Sequence, residues 1–217
     1  MILLICIILL ILLMNKIHII ILIVICFIRG VNMNKKILFI TLSLIAIILF
    51  STSIYKKTKS DKIYITDELR KHHTALLSIV ANLEKYDKDI NNIDKLYIRS
   101  LLNTSREFEI ALSSYNNAYN KVYSKEKQKE NLKEITSLIN NYYDLFLESV
   151  SLIDQIDHET LKTIKNDIEK WGLWIEDNYI STDKDGFTLY KMYTFDDMKK
   201  SGLVNELEIN NYKVAIK

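Results

Sequence analysis

From Asp61 onward the apolar residues return at alternating steps of four and three, in four separate stripes. Ile65, Leu69, His72, Leu76, Ile79, Leu83, Tyr86 and Ile90 form the first. Tyr97, Leu101, Thr104, Phe108, Ala111, Tyr115, Ala118 and Val122 form the second. Leu132, Ile135, Ile139, Tyr142, Phe146, Ser149/Val150, Ile153 and Ile156 form the third, and Leu161, Ile164, Ile168, Trp171 and Ile175 the fourth. A period of about 3.5 residues places each stripe on one side of a helix, in a coiled-coil-like seam. The faces between carry Lys, Glu, Asp and Asn. The interruptions are short and polar: Asn91-Asn92, residues 124–127, and Asp157, whose carboxylate is a natural N-cap. Short connections make successive helices antiparallel neighbours.

Composition agrees with this pattern. The 217 residues hold no proline and four glycines, where average usage gives roughly 11 and 15. All-β folds need those residues at their turns, and nucleotide-binding loops need glycine at the phosphate. The expected fold is all-α: an antiparallel four-helix bundle with a heptad core over residues 61–179. A hydrophobic leader precedes it, and a small C-terminal α+β appendage follows over 180–217.

Laying the stripes against one another gives a consistent register. His72 faces Tyr115, Leu76 faces Ala111, and Ile79 faces Phe108 across the first turn. Ala111 then faces Tyr142, and Tyr142 meets Trp171, so small and large side chains interlock. In the appendage, Asp183-Lys184-Asp185-Gly186 reads as a solvated turn, since a calcium loop set on Gly186 would place Met192 where a bidentate Glu is needed. Residues 187–193 alternate like a strand, Thr194 and Asp197 form a capping box, and Gly202 stops the helix. Residues 207–209 and 212–216 are expected to pair as a hairpin around Asn210-Asn211.

Charge is divided unevenly along the chain. Residues 1–54 contain four of the 29 basic residues and none of the 27 acidic ones. Within this leader, residues 1–32 hold two apolar runs separated by Asn15-Lys16-Ile17-His18, which are costly at the centre of a membrane. Residues 33–54 have a cleaner form: Met33-Asn34-Lys35-Lys36, an apolar run over 37–50, then Ser51-Thr52-Ser53. That is the order of a signal peptide or membrane anchor, with Met33 as the expected initiator and residues 1–32 as an upstream extension. A two-span hairpin is the alternative. Both place the helical domain outside the cytoplasm, either membrane-anchored or secreted after cleavage near Ser53. Cys6 and Cys26 are the two cysteines, so the helical domain has no disulfide.

Motifs of catalysis are missing: there is no Gly-x-Ser-x-Gly, Walker A, dinucleotide fingerprint or His-Glu-x-x-His. His72 and His73 point about 100° apart on a helix and do not share a face. Glu68 and His72 share one at i, i+4, but two ligands make no metal site. His72 is the one histidine on a core stripe, and its ring nitrogen is expected to bond Tyr115 or another neighbour. His72 and Tyr115 are therefore the candidate ligand-binding layer. Tyr119, Tyr123 and Tyr143 flank the stripes as a candidate partner surface. No basic stripe tracks phosphates, which argues against nucleic acid.

The expected function is a non-catalytic, membrane-anchored or exported helical interaction module. It would use no cofactor or metal, with residues 1–54 in contact with the membrane and a protein as partner. A small-ligand-binding or sensing bundle built on the His72/Tyr115 layer and a structural envelope protein are the alternatives. At the level of architecture, an anchored extracytoplasmic bundle is similar to the ligand-sensing domains of bacterial receptors.

Overall fold

The computed structural model describes residues 35–88, 93–123, 129–151 and 156–209, with side chains described throughout except at 35–42, 44–45, 86–88 and 93–99. The described residues are mostly helical, with one small antiparallel sheet. Among the described residues four long helices come first: α1 (Lys35–Lys88), α2 (Ile93–Val122), α3 (Lys129–Val150) and α4 (His158–Tyr179). Two short strands follow, β1 (Ile180–Thr182) and β2 (Thr188–Tyr190), and then two short helices, α5 (Phe195–Lys200) and α6 (Leu203–Glu206).

Contacts divide the chain into two units, Met1–Lys56 and Lys57–Lys217. In the first, α1 runs unbroken through Ser51, Thr52 and Ser53, the expected cleavage region, and Ile47, Phe50 and Ile54 are exposed. Among the described residues no helix is long and apolar enough to cross a membrane. Residues 1–34 and most side chains of the 37–50 run, on which the leader was read, lie outside them.

The second unit holds the core. Every described member of the first stripe from Leu69 to Leu83 is buried, as are Thr104, Phe108, Ala111, Tyr115 and Ala118 of the second. Ile135, Ile139, Tyr142, Phe146 and Val150 are buried from the third, and all five members of the fourth. Val122, the last residue of α2, is instead exposed. Asp157 caps α4 by accepting from the Thr160 backbone N–H at 3.0 Å, which answers one of the unpaired amides at a helix start.

Polar and ring contacts connect the four helices in sequence. From α1 to α2, Lys121 pairs with Asp61 at 2.9 Å, Asn117 donates to Glu68 at 2.9 Å, and His72 meets Ala111 and Tyr115. From α2 to α3, Thr136 donates to Asn116, and Phe108 stacks near Tyr143 and Phe146. Tyr142 on α3 donates to Asp167 on α4. Back from α4 to α1, Lys165 pairs with Glu84, Glu176 faces His73, and Trp171 lies edge-on to His72. Along each neighbouring pair, residue numbers fall on one helix as they rise on the next; between α3 and α4 the Asp157 amide at the start of α4 donates to the Ser149 carbonyl near the end of α3.

The segment after α4 differs from expectation in two places. Among the described residues strand pairing is confined to Ile180–Thr182 with Thr188–Tyr190, in register Ser181 opposite Leu189. Residues 191–194 leave the strand so that Tyr193 can turn inward, where it is fully buried. Leu207 and Glu208 form no strand and Ile209 is helical, because the Glu208 and Ile209 amides are taken by Asp167 rather than by a ladder. The rest of the expected hairpin lies outside the described residues. The turn is as expected: Asp183 accepts from the Asp185 and Phe187 amides, and Gly186 supplies the left-handed φ of 82°. Thr194 and Asp197 form the reciprocal capping box of α5, and Gly202 breaks the helix at φ 85°. Tyr193, Met198, Leu203, Leu207 and Ile209 belong to the same buried core as the long helices.

Candidate functional site

His72 and Tyr115 come together as the register requires, with ring centroids 5.3 Å apart and both side chains fully buried. Their hydrogen bonds are not to each other. Nδ1 of His72 lies 2.7 Å from the Ala111 carbonyl oxygen, and Nε2 lies 2.6 Å from the Tyr193 hydroxyl. The Tyr115 hydroxyl donates to the Tyr193 carbonyl at 2.8 Å. Of the two expected possibilities, Tyr115 or another neighbour, the second holds, and the side-chain partner lies 121 positions from His72.

Proton positions follow from what each group can do. A carbonyl oxygen only accepts, so Nδ1 carries the proton; in the neutral ring Nε2 then accepts, and Tyr193 donates to it. Burial pushes the His72 imidazole down to about 4, against the Ala111 carbonyl, which favours the charged ring; the adjacent His73 lowers it further. Burial raises the Tyr115 and Tyr193 hydroxyls well above the ordinary range. All three side chains are neutral at physiological pH.

Aromatic rings close the layer. Trp171 sits 5.8 Å from His72, and Trp174, Tyr179 and Tyr115 lie 5.3–5.4 Å from Tyr193. The Trp171 indole N–H acts on the Tyr193 hydroxyl without a well-aligned bond, and the Trp174 N–H is also unpartnered. Tyr119, expected on a partner surface, is buried against Tyr115 and Tyr123; Tyr123 and Tyr143 are half-buried. Glu68 does not meet His72: it is held by Lys71 at 2.7 Å and Asn117 at 2.9 Å.

No family model, curated protein or solved structure matches the chain. The candidate site therefore stands on its own geometry.

A second buried polar centre lies on the other side of Trp171. Asp167 is fully buried and accepts from the Tyr142 hydroxyl and the Glu208 and Ile209 backbone amides, all at 3.0 Å; Lys170 stands 3.9 Å away. Three donors satisfy the oxygens of this carboxylate, which burial would otherwise leave unpaired. Burial, then the Asp167 charge, raises the Tyr142 hydroxyl. Sequence reading missed this centre. Asp167 is three residues after Ile164 and four before Trp171, so helical spacing places it on the apolar face. That spacing was the available signal.

At the surface, Tyr64, Asn117, Asn120 and Lys121 line an open hollow of ≈ 340 Å³ between α1 and α2. Lys121 reaches across it to Asp61 and lies 5.9 Å over the Tyr64 ring. No group of three His, Cys, Asp or Glu side chains among the described residues is arranged to hold a metal.

Proposed function

We propose that α1–α4 form an antiparallel, up-down-up-down four-helix bundle, and that it serves as a non-catalytic interaction module anchored to or exported across a membrane through residues 1–54. The contacts that run around the four helices and back to the first support the bundle: falling numbers on one helix meet rising numbers on the next. The acid-free apolar leader supports placement of the helical domain outside the cytoplasm.

One observation carries the non-catalytic reading. The groups best suited to acid–base work, His72, Tyr115, Tyr193, Tyr142 and Asp167, are all buried and bonded within the fold. A catalytic acid or base has to reach a substrate proton, and these side chains spend their polar atoms on holding α1, α2, α3, α4 and the C-terminal segment together. The same saturation makes the His72/Tyr115 layer a structural device rather than a ligand cradle. What faces outward is a mixed charged helix surface suited to meeting another protein.

Two measurements test the proposal. A cysteine introduced at exposed Lys133 should react with a membrane-impermeant maleimide on intact cells; labelling only after lysis overturns the extracytoplasmic placement. Photocrosslinking from exposed helix positions in intact membranes should yield one discrete protein adduct. Adducts only to lipid, or none, would oppose the interaction module and favour a structural envelope role.

A further inference from the structure

Residues 191–209 cross the helices with no element longer than six residues, α5. They are held at two buried polar points. At one end Tyr193 meets His72 and Tyr115, and at the other the Glu208 and Ile209 amides meet Asp167. Surface ties run along them: the Lys191 amide donates to the Tyr179 carbonyl, Asp196 exchanges two hydrogen bonds with Asn131 of α3, and Lys170 donates to the Glu206 carbonyl. Met198, Leu203 and Leu207 fill the core between.

The two bonds of His72 respond differently to a proton. Nδ1–H donates to the Ala111 carbonyl in both the neutral and the charged ring, so that bond ties α1 to α2 at any pH. Nε2 accepts from Tyr193 only while the ring is neutral. Once Nε2 is protonated, the Tyr193 oxygen has to accept. Its own hydrogen is then left facing the Trp171 edge, which offers an N–H donor and no acceptor. Moving Tyr193 out relieves this and lets water reach Nε2, while the Ala111 bond survives. We propose that residues 191–209 form a strap that acid releases from the long helices, with the His72–Tyr193 contact as its latch.

The surroundings of His72 favour a response from this ring. On α1, His73 stands beside it and repels its charged form, while Glu68 is engaged with Lys71 and Asn117. On α2 the neighbouring titratable group is Tyr115, and on α3 Tyr142 is turned to Asp167. On α4 Trp171 carries no charge, and Glu176 faces His73. The strap presents Tyr193, and its Asp197, bonded by Thr194, lies near enough for its charge to act on Tyr115. No carboxylate among the described residues bonds the His72 ring to hold a proton on it. Because Trp171 and Trp174 both lie edge-on to Tyr193, release would also alter their fluorescence.

Hydrogen exchange of the full-length protein between pH 7 and pH 4 tests the latch, after correction for the intrinsic pH dependence of amide exchange. Protection in 191–209 should fall about tenfold per pH unit below about pH 6.5, the signature of one proton, while α3 stays protected. His72→Leu should abolish that step. Tyr193→Phe, which removes the donor to the neutral ring, should move half-release to higher pH. Equal loss of protection in 191–209 and α3, or an acid step that persists in His72→Leu, overturns the proposal. Should His72→Leu not fold, an unchanged or lower midpoint in Tyr193→Phe overturns it as well.

Discussion

The two buried centres that flank Trp171 hold the same C-terminal segment by opposite chemistry. At His72 a base is kept neutral, and its contact with the segment is between two side chains. At Asp167 a carboxylate gathers three donors, two of them backbone amides. The first contact depends on the identity of Tyr193 and on protonation. The second needs only the path of the main chain, so Glu208 and Ile209 could change type without losing it. A fold can therefore secure one segment by a residue-specific tie and a sequence-tolerant one.

The largest effect expected from breaking this pair lies at Asp167. Asp167→Ala leaves the Tyr142 hydroxyl and two backbone amides buried without an acceptor, and should cost roughly 3–5 kcal/mol in urea unfolding. Asp167→Asn, which keeps one acceptor, should cost less. If Asp167→Ala costs under about 1 kcal/mol, the carboxylate does not anchor the segment.

Next comes the pH dependence of the His72 centre. Its folded pKa of about 4 lies below the unfolded value of 6.5, so the unfolded chain binds more protons between the two. Stability is intact above about pH 6.5 and declines as pH falls toward 4, by roughly 3 kcal/mol at about 1.36 kcal/mol per unit. His73, lowered mainly by burial against the charge of Glu176, adds in the same sense. Glu107, raised by burial, works in the opposite sense, since its native form binds the extra proton. Asp67 and Asp157 are held low, the first by Lys71 and Arg70 and the second by Thr160, so they act below about 3.8. His72→Leu should therefore flatten most of the pH 6.5–4 decline, as measured by unfolding at a series of pH values. A decline of undiminished size would assign it to other groups.

Packing beside the neutral centre is a smaller lever. Ala111 is fully buried and its carbonyl receives His72, so Ala111→Leu should cost roughly 1–3 kcal/mol by overpacking. Exposed Lys133→Leu should stay within about 0.5 kcal/mol. Equal effects would mean that this layer is not tightly packed. The smallest effect belongs to Tyr115→Phe, which removes one hydrogen bond to the Tyr193 carbonyl and should cost about 1 kcal/mol. An unchanged midpoint would show that the carbonyl finds another donor.

Much of this molecule is legible along the chain. The steps of four and three identify which side of each helix is buried, from Leu69 to Leu83, Phe108 to Ala118, Ile135 to Val150 and Leu161 to Ile175. Helical geometry converts sequence spacing directly into a face, so the register that brings His72 to Tyr115 could be worked out from spacing alone. Asp157, the Thr194–Asp197 box and Gly202 were also readable, because caps are contacts between residues three or four apart.

Partnerships across long separations were not readable. Spacing placed His72 in the core but left its partner open between Tyr115 and another neighbour, because Tyr193 enters from a coil 121 residues away. Asp167 lay in plain view on the apolar side of α4, yet a lone acidic residue in a helix reads as solvent-facing until its donors are known. Those donors are a tyrosine on α3 and two amides whose position depends on how residues 191–209 return across the helices. Local periodicity determines what must be buried, since it depends only on neighbours within a turn or two. Which buried polar atoms meet is decided by the path of the whole chain, because backbone donors carry no mark in the sequence.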